Sequence, residues 1–242
     1  MTFETILNRH LAKIGEASGN STETTSQILD RITEAYWRIC KETGCTWREP
    51  AVATLAAVTA TANQHQLTTI LGISNEVFDV YNVYWDGMQL NRWSKDRIDQ
   101  QNLYADQSAT GDPLAYAVWE EYATDATTSK TTQIAFYPYI GSADTTNCYI
   151  SYFELPDKPT TSNYTAKYPI FGEEYHHIIA ELSALEYLRD IGDSRYTPMR
   201  WRECWIEIGK MRDRYIMQLH IGDKMGSPAG ARSGHKYHFY GE

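Results

Sequence analysis

Hydrophobic positions in the first third of the chain recur with the period of an α-helix, at intervals of three, four and seven residues. They are Ile6, Leu7, Leu11 and Ile14 in a first stretch and Ile28, Ile32, Ala35, Tyr36 and Ile39 in a second. Gly15 and Gly19 interrupt the pattern between them, Ser21 or Thr22 can cap the second helix, and Gly44 is placed to end it. The pattern therefore predicts two amphipathic helices before residue 44.

The middle of the chain has the alternating pattern of β-strands. Strand-forming residues fill 77–85, and the turn pair Asp86-Gly87 leads to a short partner strand. Three further strands are predicted at 114–122, 131–137 and 147–155, and one short polar helix at 94–103. Both faces of the last strand carry large side chains, which suits a small sandwich or a sheet pressed against neighbours. The stretch 50–66, rich in Ala, Thr and Val, is compatible with either a helix or a strand.

The last third returns to a helical pattern. Glu173 and Glu174 open one helix, and Gly192 is placed just past its end. Thr197-Pro198 supplies a cap and a first-turn proline for the next helix. The apolar stripes are Ile178, Leu182, Leu185 and Leu188 in the first and Trp201, Trp205, Ile208, Tyr215 and Leu219 in the second. The short link predicts an antiparallel hairpin.

Gly, Ser, Pro and Ala dominate from residue 221 onward, which predicts a flexible C-terminal arm. The predicted fold class is α+β: a helical bundle with an inserted antiparallel β meander and this arm. Residues 1–66 are the N-terminal helices, 67–167 the β-rich insertion, 168–220 the hairpin that completes the bundle, and 221–242 the arm.

Composition narrows the function. Hydrophobic residues make up 42% of the 242, enough for a packed core, and the net charge is −9. Acids outnumber bases 31 to 22, which disfavours a simple nucleic-acid binder, and residues 67–172 alone hold 13 acids against 6 bases. No apolar run is long enough to predict a membrane span, and the N-terminus lacks the pattern of a signal peptide.

Tyrosine and tryptophan are abundant, with 18 and 7 copies, and both favour half-buried surfaces such as subunit contacts. The four cysteines, Cys40, Cys45, Cys148 and Cys204, have no zinc-site spacing and are interpreted as reduced thiols in a cytosolic compartment.

Four groups of residues offer chemistry, each beside a plainer interpretation. His176, His177 and Glu181 could bind a metal, but adjacent histidines on a helix point about 100° apart, which favours a polar helix start. Glu120-Glu121 on a strand face opposite sides, which favours one solvated and one edge or interface carboxylate over a catalytic pair. The β-region aromatics could stack on sugars, although packing or subunit contact is favoured.

The fourth group lies on the last helix and consists of basic residues interleaved with acids. Its bases are Arg200, Arg202, Lys210, Arg212 and Arg214. Neighbouring acids at helical spacing predict an ion-pair network, and a strip that faces DNA is the alternative.

The order of these elements resembles the tailed-bacteriophage head–tail adaptor family, also called portal adaptors or head-completion connectors. The likeness covers residues 70–220 and depends on strand motifs in sequence. They are Pro113-Leu114-Ala115-Tyr116, Ile134-Ala135-Phe136-Tyr137-Pro138, and Tyr149-Ile150-Ser151-Tyr152-Phe153-Glu154-Leu155-Pro156. The Asp86-Gly87 hairpin before residues 94–98 and the later helical hairpin fit as well. The loop at 123–130, the acidic β region and the arm depart from the family pattern.

The resemblance implies a structural virion protein without catalytic residues, metal or cofactor. Such adaptors form rings, commonly of twelve subunits, that join the portal protein to the tail, nozzle or tail-completion protein and surround the genomic DNA without sequence-specific binding. The protein would be made in the host cytoplasm and located at the head–tail interface of the virion, with no membrane contact. An acidic channel wall would let DNA slide.

The interaction residues follow from this resemblance. The arm tip is expected to bind the portal through His235, Lys236, Tyr237, His238, Phe239 and Tyr240. Contacts with neighbouring subunits or the tail are expected at Trp85, Trp93, Trp119, Trp201, Trp205 and Tyr215. Two other functions stay open: a carbohydrate- or receptor-binding tail module that uses the β-region aromatics, and a small metal-dependent enzyme that uses His176, His177 and Glu181.

Overall fold

Two long N-terminal helices, α1 (Phe3–Ile14) and α2 (Thr25–Thr43), open the fold. The computed structural model describes residues 1–16, 23–55, 64–104, 111–121, 131–140 and 148–223. Thr24 caps α2, because its side chain accepts a hydrogen bond from Gln27 N while the Gln27 side chain accepts one from Thr24 N. This capping box, rather than Ser21 or Thr22, begins the helix. Gly44 ends it in the left-handed conformation, as predicted.

The middle of the chain forms eight strands and two short helices. In chain order they are β1 (Trp47–Val52), β2 (Gln64–Gln66), α3 (Leu67–Leu71), β3 (Val77–Trp85), β4 (Met88–Gln89), β5 (Asn91–Arg92), α4 (Lys95–Tyr104), β6 (Ala115–Glu121), β7 (Thr131–Tyr137) and β8 (Cys148–Glu154). These elements are called the β unit below. Asp86 and Gly87 both have positive φ, which gives β3 and β4 the tight turn that the sequence predicts.

The strands form two sheets, in the orders β1-β8-β3-β4 and β2-β7-β6-β5. All pairs are antiparallel except β5 with β6. The chain therefore does not run as one meander, because β8 crosses to the first sheet and pairs with β3. The sheets share a core in which Val80 and Ile150 of the first sheet meet Phe136 of the second. This is the sandwich that the two-sided strands predict.

Helix α4 covers the other face of the second sheet. Ile98 of this helix is buried among Ala115, Ala117 and Ala135 of the two central strands. Because alanine side chains are small, the helix can approach the sheet closely. The second sheet is thus covered on both sides, by the first sheet and by α4.

The chain then leaves the β unit through an extended segment and forms the helical hairpin. A short 3₁₀ turn (Glu173–Tyr175) leads into α5 (His176–Asp190), and α6 runs from Pro198 to Asp223. Thr197 accepts a hydrogen bond from Arg200 N at the predicted cap, 3.3 Å away. Ion pairs that join early residues of α5 to late residues of α6 show that the helices are antiparallel, as predicted.

Helices from both ends of the chain share one core. The buried side chains include Phe3 and Leu11 of α1, Ile32 of α2, Leu185 of α5 and Ile208 of α6. The predicted α+β class is confirmed. Two predicted boundaries are wrong. Residues 1–66 are not all helical, because β1 already pairs with β8, and α6 continues to Asp223, beyond the predicted start of the arm at 221.

Candidate interaction surfaces

Trp93 and Trp119 lie beside α4, and side chains of that helix cover both rings. The Trp93 ring stacks on Tyr137 with centroids 5.5 Å apart, and Arg97 Cζ lies 4.0 Å from the Trp93 centroid. Lys95 Nζ lies 5.2 Å from the Trp119 centroid. Cations over indole rings are favourable contacts. Both tryptophans are half-buried and help to attach α4 to the second sheet, which sequence reasoning did not anticipate.

Trp85 lies inside the sandwich. Its side chain is 4% exposed, and its indole N–H donates a hydrogen bond to Asp112 Oδ1 over 3.1 Å. The expected contact with another subunit would therefore have almost none of this side chain to use. The bulky β-former at the end of β3 is a core residue, and its hydrogen bond to Asp112 satisfies its polar atom.

The aromatic residues of α6 contact the rest of the bundle along one side of the helix. Trp201 lies 6.0 Å from Trp205 and 6.4 Å from Tyr196, measured between ring centroids, and Arg189 Cζ lies 5.4 Å from the Trp201 centroid. Tyr215 accepts a hydrogen bond from Gly172 N at 3.2 Å, and burial raises the pKa of this tyrosine. All three α6 aromatics are half-buried, so packing of the hairpin accounts for part of each surface and leaves part open.

A second apolar surface runs along the outside of α6. Met199 is 71% exposed and Ile206 50% exposed. They are seven residues apart and so lie on the same face of the helix. A Cβ atom placed on Gly209, three residues further along, would meet no atom within 4 Å. Met199, Ile206 and Gly209, with Trp205 at the edge, are called the α6 outer face below. No described residue covers it.

The outer face of the first sheet carries another exposed apolar group. Strand register places Val52 of β1 beside Tyr149 of β8, and Tyr149 beside Tyr84 of β3. Val52 is 46% and Tyr149 38% exposed, while Tyr84 is half-buried. These three side chains form one row across the sheet and are called the tyrosine row below. Tyr81 is also exposed on this strand and meets the Phe153 ring edge-on, 6.3 Å away.

The tyrosine row was not among the residues expected from the sequence. The alternation in β8 already showed that Tyr149 and Phe153 share one face of their strand. What the alternation could not show is which strands lie beside β8 and whether a helix covers that face. Tyrosine in a two-sided strand is compatible with either outcome, so the tertiary structure was needed.

His176, His177 and Glu181 have separate partners. His176 is buried, with Nε2 2.8 Å from the Phe171 carbonyl oxygen and Nδ1 3.1 Å from the main-chain nitrogen of Met1. Burial lowers the pKa of His176. His177 is exposed and lies 2.9 Å from Glu207 Oε2. Among the described residues no group of three potential ligands converges on a point.

Glu181 joins three helices through ion pairs. Lys13 of α1 and Arg200 of α6 both donate hydrogen bonds to its carboxylate, although burial opposes its ionisation. These two cations keep the pKa of Glu181 below its usual range. Arg214 pairs in the same way with Glu174 at the start of the hairpin. Two of the basic residues of α6 thus hold the bundle together, which is the predicted ion-pair network, but formed between helices.

Several carboxylates of the β unit face solvent. Exposed acids include Asp86 in the β3–β4 turn, Asp96 on α4, and both Glu120 and Glu121 at the end of β6. The expectation that one carboxylate of the Glu120-Glu121 pair lies at an interface is not met within the chain, since both are exposed. Their spread gives the β unit an acidic surface without a focused catalytic pair.

The arm tip, His235 to Tyr240, lies outside the described residues. Of the helices in the described part of the chain, none combines the length and the apolar character that a membrane crossing requires. Comparison of the chain with protein-family models and with curated protein sequences finds no match.

Proposed function

We propose that this protein is a head–tail connector adaptor of a tailed bacteriophage, which forms a ring between the portal and the tail and extends the DNA channel. The observation that supports the proposal most directly is the presence of two different uncovered apolar surfaces on one chain. They are the α6 outer face in the helical bundle and the tyrosine row in the first sheet.

Two different surfaces suit a ring better than they suit a dimer. A two-fold dimer uses the same patch on both subunits, whereas a head-to-tail contact joins one patch to a different patch of the next copy. Such a contact closes into a ring when the rotation between copies permits it. Large exposed apolar side chains in these patches are typical of sites that bind another protein.

The charge distribution also suits a protein that surrounds DNA. Exposed carboxylates of the β unit, such as Asp96, Glu120 and Glu121, would repel phosphates and leave DNA free to slide along a channel wall. This part of the proposal requires the acidic surface to face the lumen of the ring. A ring structure with a basic lumen would refute it.

The oligomeric state is the first test. Native mass spectrometry and negative-stain microscopy are carried out on the full chain, alone and mixed with a portal protein. The proposal expects a closed ring, on its own or upon addition of portal, with twelve subunits as the family pattern implies. A chain that stays monomeric and ignores portal under both conditions would contradict the proposal.

Interface variants test the head-to-tail arrangement. Ile206→Glu disrupts the α6 outer face and Tyr149→Glu the tyrosine row, so each variant alone is expected to form no ring. Mixing the two restores one intact contact per pair, and therefore gives mixed dimers but no rings. Leu114→Glu, a matched change at a side chain 60% exposed elsewhere on the β unit, should leave ring formation intact. Mixtures that stay monomeric would show that these two patches do not bind each other.

The arm has its own test. A chain that ends at Asp223, the last residue of α6, is expected to assemble like the full chain but to lose portal binding, measured by co-sedimentation. Unchanged portal binding would move the portal contact away from His235–Tyr240 and onto the folded part of the protein.

The tyrosine row favours a second candidate, a carbohydrate- or receptor-binding module. Tyr84 and Tyr149 are neighbours across paired strands, which is a suitable platform for stacking on a sugar ring. Glycan-array binding by a monomer, lost in Tyr149→Ala and kept in Ile206→Glu, would favour this function over the adaptor.

A further inference from the structure

The end of α2 brings two cysteine side chains together. Gly44 has φ of 63°, and its N–H donates a hydrogen bond to the Cys40 carbonyl oxygen over 2.9 Å. This left-handed residue reverses the chain, so that Cys45 returns beside the last turn of the helix. The thiol of Cys40 then donates a hydrogen bond to the sulfur of Cys45.

The two sulfurs have different surroundings. Cys40 is fully buried in the core of the bundle, whereas Cys45 is only partly buried. The hydrogen bond from Cys40 lowers the pKa of Cys45, while burial and that same hydrogen bond raise the pKa of Cys40 well above its usual value. The negative charge of the pair therefore belongs to the sulfur that solvent can reach, and the proton stays on the inner one.

We propose that Cys40 and Cys45 form a redox-modification site, in which hydrogen peroxide converts the two thiols into an intramolecular disulfide. The Cys45 thiolate attacks one peroxide oxygen, the O–O bond breaks, and the departing hydroxide takes up a proton as water. The sulfur of Cys40 then loses its proton and attacks the resulting Cys45 sulfenic acid. An S–S bond forms, the sulfenic hydroxyl leaves with that proton as a second water, and both thiols are oxidised while peroxide is reduced.

The disulfide would form where the helical bundle leads into the first sheet. A Cβ atom on Gly44 would lie 3.1 Å from Phe153 Cε1, so β8 packs directly against this turn. Strand β1 begins at Trp47, two residues after Cys45. Closing a loop from Cys40 to Cys45 removes freedom from the chain at this junction. Oxidation is therefore expected to hold the junction more rigidly.

The chain supplies its own reference thiols. Cys148 and Cys204 are buried, and burial raises the pKa of each to about 12. Because the thiolate is the reactive form, these two should react slowly in the folded protein.

The first experiment measures iodoacetamide labelling of each cysteine in the native full chain, by peptide mass spectrometry at neutral pH. Cys45 is expected to label on the order of tenfold or more faster than Cys148 and Cys204. Treatment with hydrogen peroxide should then give a Cys40–Cys45 peptide that is lighter by two hydrogen atoms, and dithiothreitol should reverse the change. Labelling of Cys45 no faster than of the reference thiols, or a disulfide with other partners, would overturn the proposal.

Two variants separate the steps. Cys40→Ala keeps Cys45 and should allow its sulfenic acid to be trapped with dimedone, without any disulfide. Cys45→Ser should give neither product. Circular dichroism establishes that each variant is folded, and the wild-type measurements remain decisive if one is not. In oxidised wild type, amide exchange at residues 40–46 should slow relative to the reduced form, and unchanged exchange there would contradict the rigid junction.

Discussion

The helical bundle and the β unit are built on different kinds of core. Between the helices of the bundle lie polar and charged contacts: His10 with Ser183 at 2.9 Å, Glu181 with Lys13 and Arg200, and Glu186 with Arg38. The core shared by the two sheets is almost wholly apolar, and its centre is formed by Val80, Val83, Ile134, Phe136 and Ile150.

The difference predicts different sensitivities. A buried polar group that loses its partner costs the full desolvation penalty, so the bundle should respond strongly to pH and to polar substitutions. An apolar core loses stability mainly when volume is removed or added, so the β unit should respond to changes in side-chain size. Both units face solvent through apolar patches, but only the bundle holds several ionisable groups between its elements.

The largest expected effect is the loss of volume in the β unit. Phe136 is fully buried between the sheets, and Phe136→Ala should lower the free energy of unfolding by about 3–5 kcal/mol. Urea unfolding measures the loss, and amide exchange should accelerate in β7 more than in α5. Leu114→Ala, at an exposed position, is the control. A loss no greater than that of the control would show that the sandwich core can collapse around the missing ring.

Acid should act on the bundle through His10. Burial, together with the positive charge of Arg31, lowers the pKa of His10 to about 4, from 6.5 for an unperturbed histidine, and the Glu16 carboxylate opposes this shift. The unfolded chain therefore takes up the proton first. The stability that neutral His10 contributes is present above pH 6.5 and is lost as the pH falls toward 4, by about 3 kcal/mol. Burial also lowers the pKa of His65 and His176, which add to the loss in the same direction.

Two substitutions isolate the contribution of His10. His10→Gln keeps a polar side chain but does not titrate, so urea unfolding from pH 7 to pH 4 should show a smaller loss of stability than wild type. His177→Gln changes an exposed histidine and should keep the wild-type dependence on pH. Equal pH dependence in wild type and His10→Gln would show that the buried imidazole does not titrate differently in the folded and unfolded states.

A smaller effect is expected where α4 packs on the second sheet. Ala117 is fully buried near Ile98, and Ala117→Leu adds volume that the interface has no room for. The expected loss is about 1–3 kcal/mol in the free energy of unfolding. Ala12→Leu, the same change at an exposed position of α1, should stay within about 0.5 kcal/mol of wild type. Equal losses at both sites would mean that α4 does not depend on small residues beneath it.

The smallest effect is expected at the start of α2. Thr24→Ala removes the side chain that accepts the Gln27 N–H and should cost about 1 kcal/mol. Thr25→Ala is the matched change one residue later, at an exposed position, where alanine favours the helix. Thermal unfolding distinguishes them if only Thr24→Ala lowers the midpoint, and the cap is dispensable if neither does.

Elements with strong local signals could be predicted from the sequence. The stripes of α1 and α2, the Asp86-Gly87 turn, and the Thr197-Pro198 start of α6 each carry enough local information to define the element. The short β1 and β2 in the undecided stretch before Leu67, and helix α3 that follows, have weak patterns of their own. Their partners in β8 and β7 lie far along the chain and decide their structure.

The predicted contact residues divide in the same way. Tryptophan marks an amphipathic surface, but the sequence could not tell whether that surface meets another subunit or another part of the chain. Arg97 and Lys95 cover Trp93 and Trp119, and the sandwich encloses Trp85. The tyrosine row emerges only when β1, β8 and β3 lie side by side.

The sequence by itself determined the α+β class, the acidic β region, and the helical segments at the two ends of the chain, because composition and periodicity are local properties. The tertiary structure alone decided that β8 pairs with β3, that Glu181 joins three helices, and that Cys40 meets Cys45 across a helix end. The physical reason is that pairing, burial and a side chain's pKa depend on groups that lie near in space. In this chain those groups often lie far away in sequence.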